Sequence, residues 1–156
     1  MNAIELLKKD HREALELIGN LETADDEPGT DPTDTEKFNE LKESLELHTQ
    51  IEEELLYPLM RQVEETRDLI DGAYGEHEEV NELLTRLSVK APNQKEFQEH
   101  LKEIKAALER HIEKEEVELF PKVEEAVGPD ELTEMGNEIQ QRKLTGLARP
   151  AAMKGR

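Results

Sequence analysis

The chain has no cysteine and no tryptophan, and aromatic residues make up only 3% of its 156 positions. Without thiols it can build neither a disulfide framework nor a thiolate metal site, so any metal must be held by nitrogen and oxygen, and thiol usage says nothing about its compartment. No run of about 18 apolar residues, the length that crosses a bilayer as a helix, is present. The N-terminal stretch MNAIELLKKDHREAL is charged from Glu5 onward, unlike a secretory leader. A cytoplasmic location is the expectation. β-Branched residues are scattered rather than gathered into alternating runs, which argues against sheet and for helices built from Leu, Glu and Lys.

Charge is one-sided: 39 acidic against 20 basic residues give −19. Such a field repels phosphate backbones and anionic lipid heads, so neither nucleic acid nor a membrane surface is expected as a partner. It supports solubility first and attraction of metal cations second. The length suits one unit with a single core. Residues 1–127 are expected to form a helical bundle, and 128–156 a short helix with a flexible basic tail.

Helical periodicity organises the chain. Helix 1 is expected from about Asn2 to Leu21, with Ile4, Leu7, His11, Ala14, Ile18 and Leu21 on one stripe. The acidic stretch TADDEPGTDPTDTE, Thr23 to Glu36, is rich in turn formers and reads as a long connection. Helix 2 starts near Thr35 as N-cap, and its stripe is Phe38, Leu41, Leu45, His48, Glu52, Leu55 and Leu59. Pro58 should kink it, with the remainder running towards Ile70 and a turn near Asp71-Gly72.

Helix 3 places Ile70, Ala73, His77, Val80, Leu84 and Leu87 on its stripe and stops before Ala91-Pro92-Asn93. Helix 4, about Gln94 to Val127, carries Phe97, Leu101, Ile104, Leu108, His111, Glu115 and Leu119. Gly128-Pro129 ends it. A short fifth helix, Asp130 to Leu144, then leads to the tail TGLARPAAMKGR; the five basic residues from Arg142 onward are assigned no role.

Two phrases recur. HTQIEEELLYP (48–58) matches HIEKEEVELFP (111–121), and DHREALELI (10–18) matches EHEEVNELL (76–84). Their offsets of 63 and 66 residues are nearly equal, so helices 1 and 2 resemble helices 3 and 4. The simplest architecture is an antiparallel up-down four-helix bundle of two hairpins about a pseudo-twofold axis.

Four histidines and two glutamates thus stand where leucines belong, and burying them without compensation would cost kilocalories each. Metal coordination compensates the whole set. Residues four apart on a helix lie about 40° apart around the axis and roughly 6 Å along it, so His48 with Glu52, and His111 with Glu115, can reach one volume. Glu53 and Glu116 are about 100° further round, on the solvent side or behind the ligands. Six ligands overfill a tetrahedral zinc site, and imidazole with carboxylate suits iron, with zinc, manganese and copper as alternatives. A dimetal centre with His11, His48, Glu52, His77, His111 and Glu115 as ligands follows. No histidine has Glu three residues before it, which separates the chain from the ferritin-type pattern.

These residues resemble the hemerythrin-like, or HHE cation-binding, family: Asp10-His11, His48-x-x-x-Glu52, His77, and His111-x-x-x-Glu115 followed by Phe-Pro. The resemblance spans roughly Met1 to Val127. It implies a four-helix bundle with a non-haem di-iron centre, oxo- or hydroxo-bridged, that meets dioxygen, peroxide or nitric oxide. Related domains carry oxygen, sense oxygen or iron, or protect against oxidants. Oxygen carriers have a second histidine four residues before the helix 3 histidine, and here that position is Ala73; they also have Asp where this chain has Glu116. Sensing or detoxification of a small oxidant is therefore the expectation, with peroxide decomposition as the candidate enzymatic activity. An iron-responsive binding module and an oxygen store are the alternatives.

Tyr74, one turn before His77, is a candidate extra ligand or outer hydrogen-bond donor for the vacancy at Ala73. Tyr57 and Phe120 are expected to pack the bundle end. His100 lies about 16 Å along the helix from His111 and should stay at the surface.

Overall fold

Ile4, Leu7, Ala14, Ile18 and Leu21 are all buried along one face of α1 (Ala3–Glu22), as a 3.6-residue period requires. The computed structural model describes residues 1–22, 36–89 and 94–148. Among these there is no strand. The helices are α1, α2 (Glu36–Ile51), α3 (Tyr57–Arg61), α4 (Arg67–Val89), α5 (Gln94–Lys114), α6 (Phe120–Ala126) and α7 (Pro129–Ala148). The Thr35 cap, the acidic connection, the breaker at Ala91 to Asn93 and the end of the tail lie outside the described residues. The four-helix bundle and the additional C-terminal helix agree with the reading from sequence. Among the described residues, no helix is long and apolar enough to cross a membrane.

Each of the two long inner helices is interrupted at the same place. Glu52–Leu56 separates α2 from α3, and Glu115–Leu119 separates α5 from α6, and both segments are π-helical. Prolines follow directly: Pro58 and Pro121 stand in the first turns of α3 and α6. A proline lacks the N–H and its ring crowds the carbonyl four residues back, so a widened turn ahead of it relieves the clash. Tyr57 N–H and Phe120 N–H bond instead to the carbonyls of Glu52 and Glu115, five residues back. The extra residue shifts the first stripe by one. Leu56 and Met60 are buried, whereas Leu55 and Leu59, expected inside, are only partly covered.

Three boundaries differ from expectation. α3 stops at Arg61, because Val63 takes an extended conformation, and the Thr66 hydroxyl donates to the Met60 carbonyl and lies 3.1 Å from that of Val63. The chain reverses there, so Asp71-Gly72 lies inside α4 rather than at a turn. α7 is not short: it runs 20 residues to Ala148, taking up Thr145 to Ala148 that were read as tail. Its Leu132 and Ile139 join one apolar cluster with Leu7, Ile51 and Phe120, while Phe38, Leu41 and Phe97 belong to a second. The buried His and Glu residues occupy the layer between the two clusters. Gly136 lets α7 come close, since a Cβ there would lie 2.5 Å from the Met1 carbonyl.

Candidate metal centre

All six candidate ligands are buried, and Glu52 is fully inaccessible. Helical spacing accounts for the pairs His48 with Glu52 and His111 with Glu115; α1 and α4 supply His11 and His77 from across the bundle. Two ligand groups result, His11, His48, Glu52 and Glu115, and Glu52, His77, His111 and Glu115, each with atoms within 4.8 Å of one another. The carboxylates belong to both groups.

Every imidazole is oriented the same way. The Nδ1–H donates to an outer carboxylate: His11 to Glu116 at 2.7 Å, His48 to Asp10 at 2.9 Å, His77 to Glu53 at 2.7 Å, and His111 to Glu76 at 2.9 Å. Each outer acid adjoins a ligand in sequence. The Nε2 atoms turn inward: His11 lies 3.0 Å from Glu115 Oε1, His48 3.1 Å from Glu52 Oε1, His77 3.1 Å from the same oxygen, and His111 3.3 Å from Glu115 Oε2. A carboxylate on Nδ1 fixes the tautomer and ring orientation that leave the Nε2 lone pair for a metal.

Nε2 of His11 and His48, Oε2 of Glu52 and Oε1 of Glu115 are buried without an aligned hydrogen-bond partner. Buried polar atoms are normally satisfied. Atoms that approach closely yet do not bond to each other fit a shared third partner, and a nitrogen–oxygen donor set suits a cation such as iron, manganese or zinc. The residues present therefore fit a metal.

Protons take the cation's place when no metal is bound. Burial would pull the His48 imidazolium down, but the Glu52 charge and the hydrogen bond to Asp10 push its pKa up to about 10. Burial likewise opposes His111, and the neighbouring carboxylates of Glu115, Glu52 and Glu76, the last hydrogen-bonded to Nδ1, push it up to about 12. Burial alone would raise Glu52; the His48 charge, the neighbouring His111 and the hydrogen bond to His77 hold it well below the carboxylate range.

Tyr57 was expected to pack the bundle end, and its ring does sit in the apolar cluster. Its hydroxyl nevertheless enters the centre, donating to Glu115 Oε2 at 2.5 Å and lying 3.1 Å from His77 Nε2 and 3.3 Å from Glu52 Oε1. Burial, then the charges of Glu52 and Glu115, keep this phenol protonated well above its ordinary range. Tyr74, the residue singled out from sequence, is partly buried and packs edge-on against Tyr57, ring centroids 5.3 Å apart. The π segment explains the exchange, because i to i+5 bonding brings residues five apart towards one side. The signal was in the repeated Tyr-Pro and Phe-Pro.

Phe120, the counterpart of Tyr57, stacks on His11 with ring centroids 5.9 Å apart, as Tyr57 stacks on His77 at 5.2 Å. The hydroxyl is thus present in one half only. His100 sits at the surface, 4.0 Å from Glu103. Two acidic clefts reach the backs of His48 and His77, one of about 380 Å³ bounded by Glu13, Glu40, His48 and Lys143, the other of about 330 Å³ bounded by Glu46, Glu53, His77 and Asn81.

Fold and site together define a four-helix-bundle protein with a buried His/Glu cluster that could bind metal. The sequence matches the hemerythrin HHE cation-binding domain over residues 2–123, and the chain belongs to that family. It is similar to an HHE cation-binding-domain protein of Mycobacterium kansasii, a homologue of Rv2633c, whose crystal structure superposes with a TM-score of 0.75 at 27% identity, covering 100% of this chain and 95% of that one. Similar curated proteins are an uncharacterised hemerythrin-like protein of Schizosaccharomyces pombe, 28% identical over 86% of this chain, and a DNA nickase of Nostoc sp., 24% identical over 92%. This chain spans 66% of the former's length and 39% of the latter's.

Proposed function

We propose that this is a non-haem di-iron protein that binds or reacts with a small oxidant, dioxygen, peroxide or nitric oxide, in sensing or detoxification. The observation that carries the reading is the pair of overlapping candidate ligand groups that share both Glu52 and Glu115, which would suit two metals rather than one. His11 and His48 would hold one metal, His77 and His111 the other. Bound iron would supply redox chemistry and Lewis acidity towards the oxidant.

The chain's own residues set the surroundings. The outer acids keep the imidazoles in the ligating tautomer, the two apolar clusters keep bulk water out, and Tyr57 holds a proton beside Glu115. Ala73 stands buried where a carrier has another histidine, which favours reaction or sensing over reversible carriage.

Anaerobic reconstitution with ferrous iron, followed by air oxidation, tests the reading. About two equivalents per chain and near-ultraviolet absorption of a bridged ferric pair are expected, and oxygen evolution from added peroxide reports turnover. Binding of well under two equivalents overturns it. Large stabilisation by iron without turnover would favour an iron-responsive binding module, the second reading, which the unpartnered buried atoms support: metal would satisfy them and stabilise the fold.

A further inference from the structure

The repeat makes the two halves of the centre comparable residue by residue, and one mismatch concerns charge. In the second half, Glu76 receives the Nδ1–H of His111 and is also 3.6 Å from the Lys114 ammonium, on α5 itself. Sixty-three residues earlier, the position of Lys114 is Ile51, which is buried among apolar side chains. The first half therefore lacks the lysine present in the second. Its outer acid, Asp10, is the more buried of the two, at 7% exposure, and a carboxylate so placed needs a cation.

The missing cation arrives from outside the duplicated unit. Lys143, on α7, donates to Asp10 Oδ1, while Asp10 Oδ2 receives the Nδ1–H of His48. Lysine, carboxylate and imidazole thus form the same chain in both halves, although the lysines come from unrelated elements. Next to it, Arg142 donates to Glu54 in the π segment, whose counterpart in the repeat, Val117, is exposed.

We infer that α7 is a working part of the metal centre, with Lys143 the positioning residue that holds Asp10, and through it His48, for the metal on the His11 and His48 side. The inference rests on the dimetal reading above. Charge counting agrees with it. Glu52 and Glu115 with the four outer acids carry six negative charges, Lys114 and Lys143 carry two positive ones, and with neutral imidazoles the remainder matches two divalent cations.

Cobalt(II) titration of the metal-free 156-residue chain, followed by d–d absorption, tests this without any activity assay. The parent should bind two equivalents. In Lys143→Gln one of them should weaken about tenfold, within the range seen when groups that orient metal-bound histidines are lost, while the other is unchanged. Lys114→Gln should weaken one equivalent likewise, and the double variant should weaken both. Lys143→Arg should keep parent binding. Circular dichroism and the metal-free melting temperature establish that each variant is folded.

Parent-like affinity at both equivalents in folded Lys143→Gln overturns the inference, as does an equal loss at both, or a gain, which would mean that Lys143 merely repels the cation. If the parent itself takes up less than two equivalents, the dimetal reading is what fails.

Discussion

Tyr57 and Glu115, 58 residues apart in sequence, meet at 2.5 Å between hydroxyl and Oε2, and this bond has no counterpart at Phe120 in the other half of the buried cluster. Tyr57→Phe would make the first half match Phe120 in the second. Hydrogen bonds to charged groups contribute about 1.5–3 kcal/mol, so the variant should destabilise the metal-free protein by roughly 2 kcal/mol, read from urea unfolding, while metal stoichiometry stays at the parent value.

Removing a ligand from one half should spare the other. His48→Ala and His111→Ala should each lower iron content by about one of two equivalents, with the double variant close to metal-free, measured by elemental analysis after reconstitution and desalting. Full iron retention in both single variants would show that the cluster is not the binding site.

The metal-free protein should lose stability in alkali. His48 is raised from its ordinary 6.5 to about 10, so its ion pairs with Glu52 and Asp10 contribute fully below about pH 6.5 and are lost as pH rises through about 10. The urea midpoint of chelator-treated protein should fall between pH 7 and pH 10. For the same reason metal binding at pH 7 must displace protons from His48 and His111, and a pH indicator in weak buffer should record their release.

Two glycines should respond in opposite directions. A Cβ at Gly136 would stand 2.5 Å from the Met1 carbonyl and 3.1 Å from the Ala3 nitrogen, so Gly136→Ala must push α7 off the N-terminus of α1, costing about 1–3 kcal/mol. At Gly75, inside α4, nothing lies within 4 Å of the added carbon. Gly75→Ala should stabilise by roughly 0.5–1 kcal/mol through helix propensity. Thermal melts of the two variants check both signs.

Much of this was legible in the sequence because helical periodicity is local. The stripes of α1, α4 and α5, the six buried candidate ligands and the two-hairpin repeat follow from residue spacing, and every stripe residue of α4 and α5 is buried. The misjudged positions cluster where the period changes. Leu55, Leu59 and Tyr57 were placed with a 3.6-residue turn, and the π segment ahead of Pro58 slips everything after it by one residue. Pro58 signalled a disturbance without saying that the helix would widen rather than bend.

By itself, the sequence determined an all-helical, metal-suited bundle, since the histidines and glutamates are marked by standing where leucines belong, and its membership in the HHE family. Only the tertiary structure decided which carboxylate holds which imidazole, that Tyr57 rather than Tyr74 faces the shared glutamates, and that α7 delivers Lys143 to Asp10. Those pairings join residues on different helices, and the distance between such residues depends on how the helices pack rather than on any spacing within one of them.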